Sequence, residues 1–214
     1  MAEWAGCSHE CFLFMRRRSL ILSLGLMPIA SRAGQQSDLR TPAEVAQRVL
    51  ALMAVSFAAK DLVGARAWVK KHALEAVLSP KERGFIQAAT RDHKQVVQLS
   101  WRIEGTAPLL WALGRISKMP SFSEQLSLDH GPLLRSIIDD PALLMRSLKL
   151  RSSDEIWSAQ AQALSAHWKI RDASLNRRPI PFGLDPDLIT ERHHALNWLV
   201  RDGAKEWDDV ETNT

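Results

Sequence analysis

From Thr41 onward the hydrophobic positions recur at intervals of three and four residues, the spacing of one face of a helix. Val45, Val49, Leu52, Met53 and Phe57 fall on such a face, which predicts a helix opening at Thr41 with this stripe in the core. A second helix is predicted over Leu62 to Leu74 with Trp68 and Val69 inward, and a third from Pro80 through Phe85 and Ile86. Val96 to Ile116 is apolar on more than one side. It is expected to be a central, largely buried helix, bent at Pro108 because proline has no N–H to give the preceding turn. Pro120, Gly131-Pro132 and Pro141 break Ser117 to Leu150 into loops and short helical pieces such as Leu133 to Ile138. Ile156 to Arg171 reads as the next helix, Asn176 to Gly183 as a loop, and Leu188 to Asp202 as the last long helix, ended by Gly203.

Three of these helix starts share one signature, a hydroxyl residue followed three positions later by Glu, whose side chains satisfy each other's free backbone N–H groups. They are Thr41-Pro42-Ala43-Glu44, Ser79-Pro80-Lys81-Glu82 and Ser152-Ser153-Asp154-Glu155, two of them with proline at the first helical position. Asp185-Pro186 opens a fourth helix in the same manner. No run alternates with period two and no repeat of fixed period occurs. The pattern therefore predicts an all-α fold, a compact single-domain multi-helix bundle with irregular loops and no substantial sheet. Residues 16–214 are expected to form the domain and residues 1–15 a disordered extension.

Composition narrows the function classes without selecting one. The 214 residues are 46% hydrophobic and 24% charged, which suits one globular domain and excludes disordered and collagen-like chains. The formal charge of +4 comes from 28 basic against 24 acidic residues with no long basic run, so nucleic-acid binding is not expected. Cys7 and Cys11, with His9 nearby, are too few for a closed zinc site or a disulfide scaffold. Met15 to Ala33 has a basic start, an apolar middle and a small-residue end, and so must be weighed as an export signal. Fourteen residues precede it, Ser23, Gly25 and Pro28 interrupt the apolar run, and Arg32 falls where cleavage would occur. A short helix over Ser19 to Leu24, stopped by Gly25 and Pro28, fits comparably, and the apolar run is too short to span a bilayer. The expectation is a cytoplasmic protein without a membrane span, with export as the alternative.

The polar residues with chemical potential concentrate in the final helix, Glu191-Arg192-His193-His194-Ala195-Leu196-Asn197-Trp198-Leu199. Arg192 shares a face with Leu188, Ala195, Leu196 and Leu199, so it needs a carboxylate partner, for which Glu104, Asp208 and Asp209 are the candidates. Glu191, His194 and Trp198 form a neighbouring stripe. A functional arrangement would gather Glu191, His194 and His167 as metal ligands or as an acid and a base, with Arg192 holding an anion. The spacing lacks the two-histidine, i, i+4 pattern of zinc peptidases, and adjacent histidines diverge by roughly 100° on a helix. It favours a buried polar network locking the helices together. No Gly-x-Ser-x-Gly and no glycine-rich phosphate loop occurs. Eight tryptophans without a tyrosine form an unusual aromatic set, most of it expected in the core.

Several short motifs taken together resemble the bacterial domain of unknown function 4272 family. They are Leu39-Arg40-Thr41-Pro42-Ala43-Glu44-Val45-Ala46-Gln47-Arg48, Leu78-Ser79-Pro80-x-Glu82, Trp101-Arg102-x-Glu104, Leu110-Trp111-Ala112-Leu113-Gly114, His167-Trp168, Glu191-Arg192-His193-x-Ala195-Leu196-Asn197-Trp198 and Trp207-Asp208-Asp209-Val210. The likeness runs from about Arg16 to the C-terminus and implies a fold without an established activity. The chain departs from the pattern at Ser158, Ala161, Leu164 and Ser165, where acidic and Tyr-Arg positions would be expected.

The resulting expectation is a soluble, non-enzymatic helical module that binds an as yet unidentified protein partner, with no metal or other cofactor and an oligomeric state left open. The alternative is an enzyme or small-ligand binder with a polar pocket around Arg102, Glu104, His167, Glu191 and Arg192. His194, Asn197, Asp208 and Asp209 complete the candidate cluster, structural or ligand-binding.

Overall fold

The computed structural model describes residues 39–126, 131–201 and 205–212. The export-signal segment Met15 to Ala33, the alternative helix at Ser19, the extension 1–15 and both cysteines lie outside them. The described residues contain eight α-helices and no strand. In chain order these are α1 (Pro42–Lys60), α2 (Leu62–Lys71), α3 (Pro80–Gln87), α4 (His93–Ser100), α5 (Thr106–Ala112), α6 (Gly131–Asp139), α7 (Ser153–Leu175) and α8 (Pro186–Leu199). Short 3-10 turns cover Leu74–Val77, Trp101–Gly105, Pro141–Leu143 and Trp207–Asp209. The fold is all-α, as the sequence predicts.

All three reciprocal boxes form. Thr41 caps α1 and pairs with Glu44, Ser79 caps α3 and pairs with Glu82, and Ser152 caps α7 and pairs with Glu155. Asp185 caps α8 by accepting from the backbone N–H groups of Asp187 and Leu188. Asp61 serves two helices at once, since its N–H closes α1 on the Phe57 carbonyl while its carboxylate accepts from Gly64 N–H to open α2. Each device answers backbone donors or acceptors that a helix end leaves without a partner.

The hub is α1. Residues 48–56 are buried without interruption, so burial encircles this helix and is not confined to the predicted stripe. It packs against α2, α4, α5 and the Trp101–Gly105 turn, while α8 packs against that turn, α5 and α7. Among the described helices α1 is the one long and apolar enough to cross a membrane, with mean hydropathy 1.2, and 67% of that window is buried inside the fold. Most buried apolar residues form one contiguous core, and Ala166, Ile170 and Ile189 make a smaller cluster between α7 and α8.

The expected central helix from Val96 to Ile116 is not continuous. It divides into α4, the 3-10 turn Trp101–Gly105 and α5, and no residue of α4 is buried. Pro108 lies in the first turn of α5, directly after the 3-10 turn, where its missing N–H has no acceptor within α5 to lose. Helix α2 stops at Lys71, short of Leu74, and Ala73 takes a left-handed φ of 51°. Helix α8 stops at Leu199, short of Asp202, with Arg201 at φ 50° in the left-handed region. Trp68, Trp198 and Trp207 are core residues, Trp101, Trp111 and Trp157 are half-buried, and Trp168 is 56% exposed, against the expectation of a mostly buried set.

Gly105 marks a close crossing of this framework. A Cβ built there would stand 3.3 Å from Leu52 Cδ1 and 3.6 Å from both Ala195 Cβ and the Glu191 carbonyl oxygen, where α1 and α8 close on the turn. Gly105→Ala should change stability by less than about 1 kcal/mol, whereas Gly105→Leu should cost about 1–3 kcal/mol through forced separation of the helices. Urea unfolding of the two variants measures the difference, and equal midpoints would contradict this packing.

Candidate functional site

Arg192 lies on the buried face of α8 and is 0% exposed. Its Nη2 donates to Glu104 Oε2 at 2.8 Å and to the Glu124 carbonyl at 2.6 Å. Its Nη1 donates to the carbonyls of Pro120 and Ser121 at 3.1 and 2.6 Å. Glu104, 3% exposed, in turn accepts from Leu126 N–H at 2.9 and 3.1 Å on its two oxygens. The ion pair thus ties the loop 120–126 to the core through both partners. Of the three carboxylates the sequence offers Arg192, the structure selects Glu104.

Asp208 is occupied elsewhere. Its Oδ1 accepts from Ser79 Oγ at 2.7 Å and its Oδ2 from Lys81 N–H at 2.9 Å, which supplements the cap of α3. The neighbouring Asp209 is exposed and takes no part. Asn197 bridges α7 and the C-terminal segment, since its Oδ1 accepts from Gln160 Nε2 and its Nδ2 donates to the Glu211 carbonyl, both at 3.0 Å.

Glu191 pairs with Arg102 at 3.1 Å. Burial pushes the Glu191 carboxyl above its usual range, and Arg102 opposes that shift without cancelling it. His194 does not join Glu191 and His167. Its Nε2 lies 3.1 Å from the Trp207 carbonyl and its ring meets the Trp207 indole edge-on at 4.4 Å. Burial, reinforced by Arg102 and Arg48, lowers its pKa to about 3, so it is neutral at physiological pH. His167 instead meets His193, Nδ1 to Nδ1 at 2.9 Å with the rings nearly perpendicular. Such a bond requires one nitrogen to carry the proton and the other to offer a lone pair. Burial and then Arg171 lower the His167 pKa. The proposed trio of Glu191, His194 and His167 is therefore divided among three different partners. Among the described residues no group of three His, Cys, Asp or Glu side chains is placed to hold a metal ion.

The centre of the polar network is a feature that the sequence reading did not single out. Arg40, Arg48 and Arg102 surround the edge-to-face pair Trp198 and Trp207, whose centroids are 5.8 Å apart. Arg40 lies 4.9 Å over Trp198, while Arg48 and Arg102 lie 4.9 and 5.8 Å over Trp207. Arg48 also meets both Glu82 oxygens at 3.0 Å, and its burial pulls its pKa down against the opposing effect of Glu82. The sequence holds a usable signal for it. Arg48 sits inside the apolar stripe of α1 as Arg192 does in α8, and Glu82 is already marked by its capping box.

The candidates do not converge on one cavity. Glu104 borders a cleft of about 380 Å³ beside Met53, Ser56 and Trp101. Glu191 borders an open groove of about 550 Å³ with His93, Trp101, Asp187 and Thr190. Asp208 and Asp209 line a third cleft, and His193 and Asn197 a fourth. The chemistry on offer is accordingly local, and only Glu191 combines a raised carboxyl pKa with an open groove.

The chain belongs to the family described as a domain of unknown function (DUF4272), whose model matches residues 16–210. No curated protein and no solved structure matches it.

Two outcomes test the network. Arg192→Met should lose about 3–5 kcal/mol of stability, because Glu104 would stay buried with its charge uncompensated. An unchanged melting temperature would refute this pairing. The second outcome concerns acid. The unfolded imidazole takes up a proton near pH 6.5 and folded His194 only near 3, so the unfolded state binds more protons between these values and stability falls as pH drops through this window. His167 acts in the same direction, while the raised Glu191 carboxyl acts oppositely above its ordinary value of 4.5. His194→Gln should flatten the loss measured by urea titration from pH 6.5 downward, and an identical slope in the variant would contradict the assignment.

Proposed function

We propose that this family member is a soluble, cytoplasmic, non-enzymatic helical module whose role is to bind a protein. The observation that carries this reading is how the polar side chains are used. Arg192 with Glu104, Arg48 with Glu82, His167 with His193 and Asp208 with the α3 cap each hold one part of the fold to another. Groups engaged in this way are poorly placed to change partners during a reaction. Val63, Val97, Leu143 and Met145 are exposed singly or in pairs on other elements, while Leu164, Trp168, Leu175, Ile180 and Phe182 lie on and after α7, the last four of them 56%, 76%, 45% and 107% exposed. Exposed aromatic and aliphatic residues of this kind favour protein contacts.

A second reading, an enzyme or small-ligand binder, draws support from the groove at Glu191. There a protonatable carboxyl held by Arg102 faces Trp101, whereas Glu104, Arg192 and His167 lie apart from it.

Immobilised full-length chain exposed to native lysate should retain a protein in stoichiometric amount, and Phe182→Ser should weaken retention without altering the melting temperature. Reproducible turnover of a small molecule that is lost in Glu191→Gln, with no protein retained, would overturn the proposal in favour of the second reading.

A further inference from the structure

The cleft of about 380 Å³ beside Glu104 lies where three elements meet. Its walls are mostly apolar, formed by Met53 and Phe57 of α1, Trp101 of the turn after α4, and Leu134 and Ile138 of α6. Its size falls within the range of about 300–1,000 Å³ typical of small-molecule sites, which combine such walls with a few placed polar groups. Among the polar groups here are Ser56, Lys60 and Glu104. Their order along the cleft follows from α1. Met53, Ser56 and Lys60 succeed one another at steps of three and four on one face, a rise of about 10 Å. The segment from α4 to the turn runs back along α1, since Arg91 reaches the Ala58 carbonyl and Gly105 lies against Leu52. Glu104 therefore borders the Met53 end and Lys60 the other.

The two ends differ in what they offer a ligand. Glu104 is 3% exposed and its carboxylate is committed to Arg192 and Leu126 N–H, so this end presents an acid and no donor for an anion. Lys60 at the mouth is exposed, and no ion pair among the described residues involves it. It is also the one cation among the described lining residues. Ser56 stands between them, with a buried hydroxyl that has no hydrogen-bond partner among the described residues, so a ligand has no bond of that hydroxyl to displace. An anion is thus favoured at Lys60 and disfavoured at Glu104. At the mouth it keeps part of its hydration, which lowers the cost of desolvation. Between the ends, about 10 Å of mostly apolar wall remains for an uncharged body.

We propose that this cleft is a binding site for a small apolar carboxylic acid, its carboxylate paired with the Lys60 ammonium at the mouth and its body held between α1, the Trp101–Gly105 turn and α6. The site goes beyond the protein-binding role and uses a different part of the molecule, since neither α7 nor the loop after it contributes to the cleft.

Isothermal titration calorimetry of the full chain with octanoate tests it. The expected result is saturable binding of one octanoate per chain with a Kd at or below about 1 mM. Octanol should bind at least about threefold more weakly, and octyltrimethylammonium should not bind. Lys60→Glu should weaken octanoate binding by at least about fivefold and leave octanol binding unchanged. Leu134→Trp, which fills the cleft, should abolish binding of both. Circular dichroism verifies that each variant keeps its helix content; should Leu134→Trp lose it, Lys60→Glu at the exposed end of α1 still decides the question. No saturable binding up to about 5 mM octanoate would overturn the proposal. So would octyltrimethylammonium binding as tightly as octanoate, or octanoate binding indifferent to Lys60→Glu or to a folded Leu134→Trp. Phe182→Ser should leave octanoate binding unchanged, so that loss of the protein-binding reading and loss of this site are told apart.

Discussion

The structure depends most on one buried ion pair, Arg192 with Glu104. A guanidinium with no exposed surface needs its charge balanced and most of its donors used, and the surrounding chain does both through the two Nη groups, leaving only Nε without a partner. Glu104 supplies the charge from the turn that follows α4. The carbonyls of Pro120, Ser121 and Glu124 take the remaining Nη donors, and Leu126 N–H returns to the carboxylate. A loop that forms no regular structure of its own is thereby given a single position. Replacing the pair with apolar residues would preserve burial and lose this instruction to the loop.

A similar logic extends to the far end of α8. Trp198 and Trp207 present their faces to Arg40, Arg48 and Arg102, and these arginines find carboxylates in Glu44, Glu82 and Glu191. The indole faces and the carboxylates both draw the cations, so three like charges coexist within a small volume. This arrangement joins the start of α1, the cap of α3, the turn before α5 and the C-terminal segment without any covalent link. His194, buried beside these cations, is kept neutral first by its burial and then by Arg102 and Arg48.

Much of the framework was legible in the sequence because its signals are local. A box such as Ser79 with Glu82 fixes a helix start through atoms three residues apart, and all three boxes formed as read. What failed was non-local. Pro108 looks like a kink until its position in the first turn of α5 is known, three residues after Gly105, which sits between α1 and α8. Arg192 could be read as needing an acid, but the choice of Glu104 over Asp208 rests on where α3 brings Ser79 and Lys81. The separation of His167 from His194 follows from 100° of helical rotation, which the sequence does contain; the engagement of His193 in its place depends on how α7 crosses α8.

The central position of α1 also has a kinetic side. It is the first helix of the described fold and almost wholly enclosed, while α8, which closes over the turn packed against it, is the last. The Arg40 side chain bonds to the Trp198 carbonyl across 158 positions. At synthesis rates of about 5–20 residues per second, that interval lasts on the order of ten seconds. During it the nascent chain presents this apolar helix without the cover it will later have.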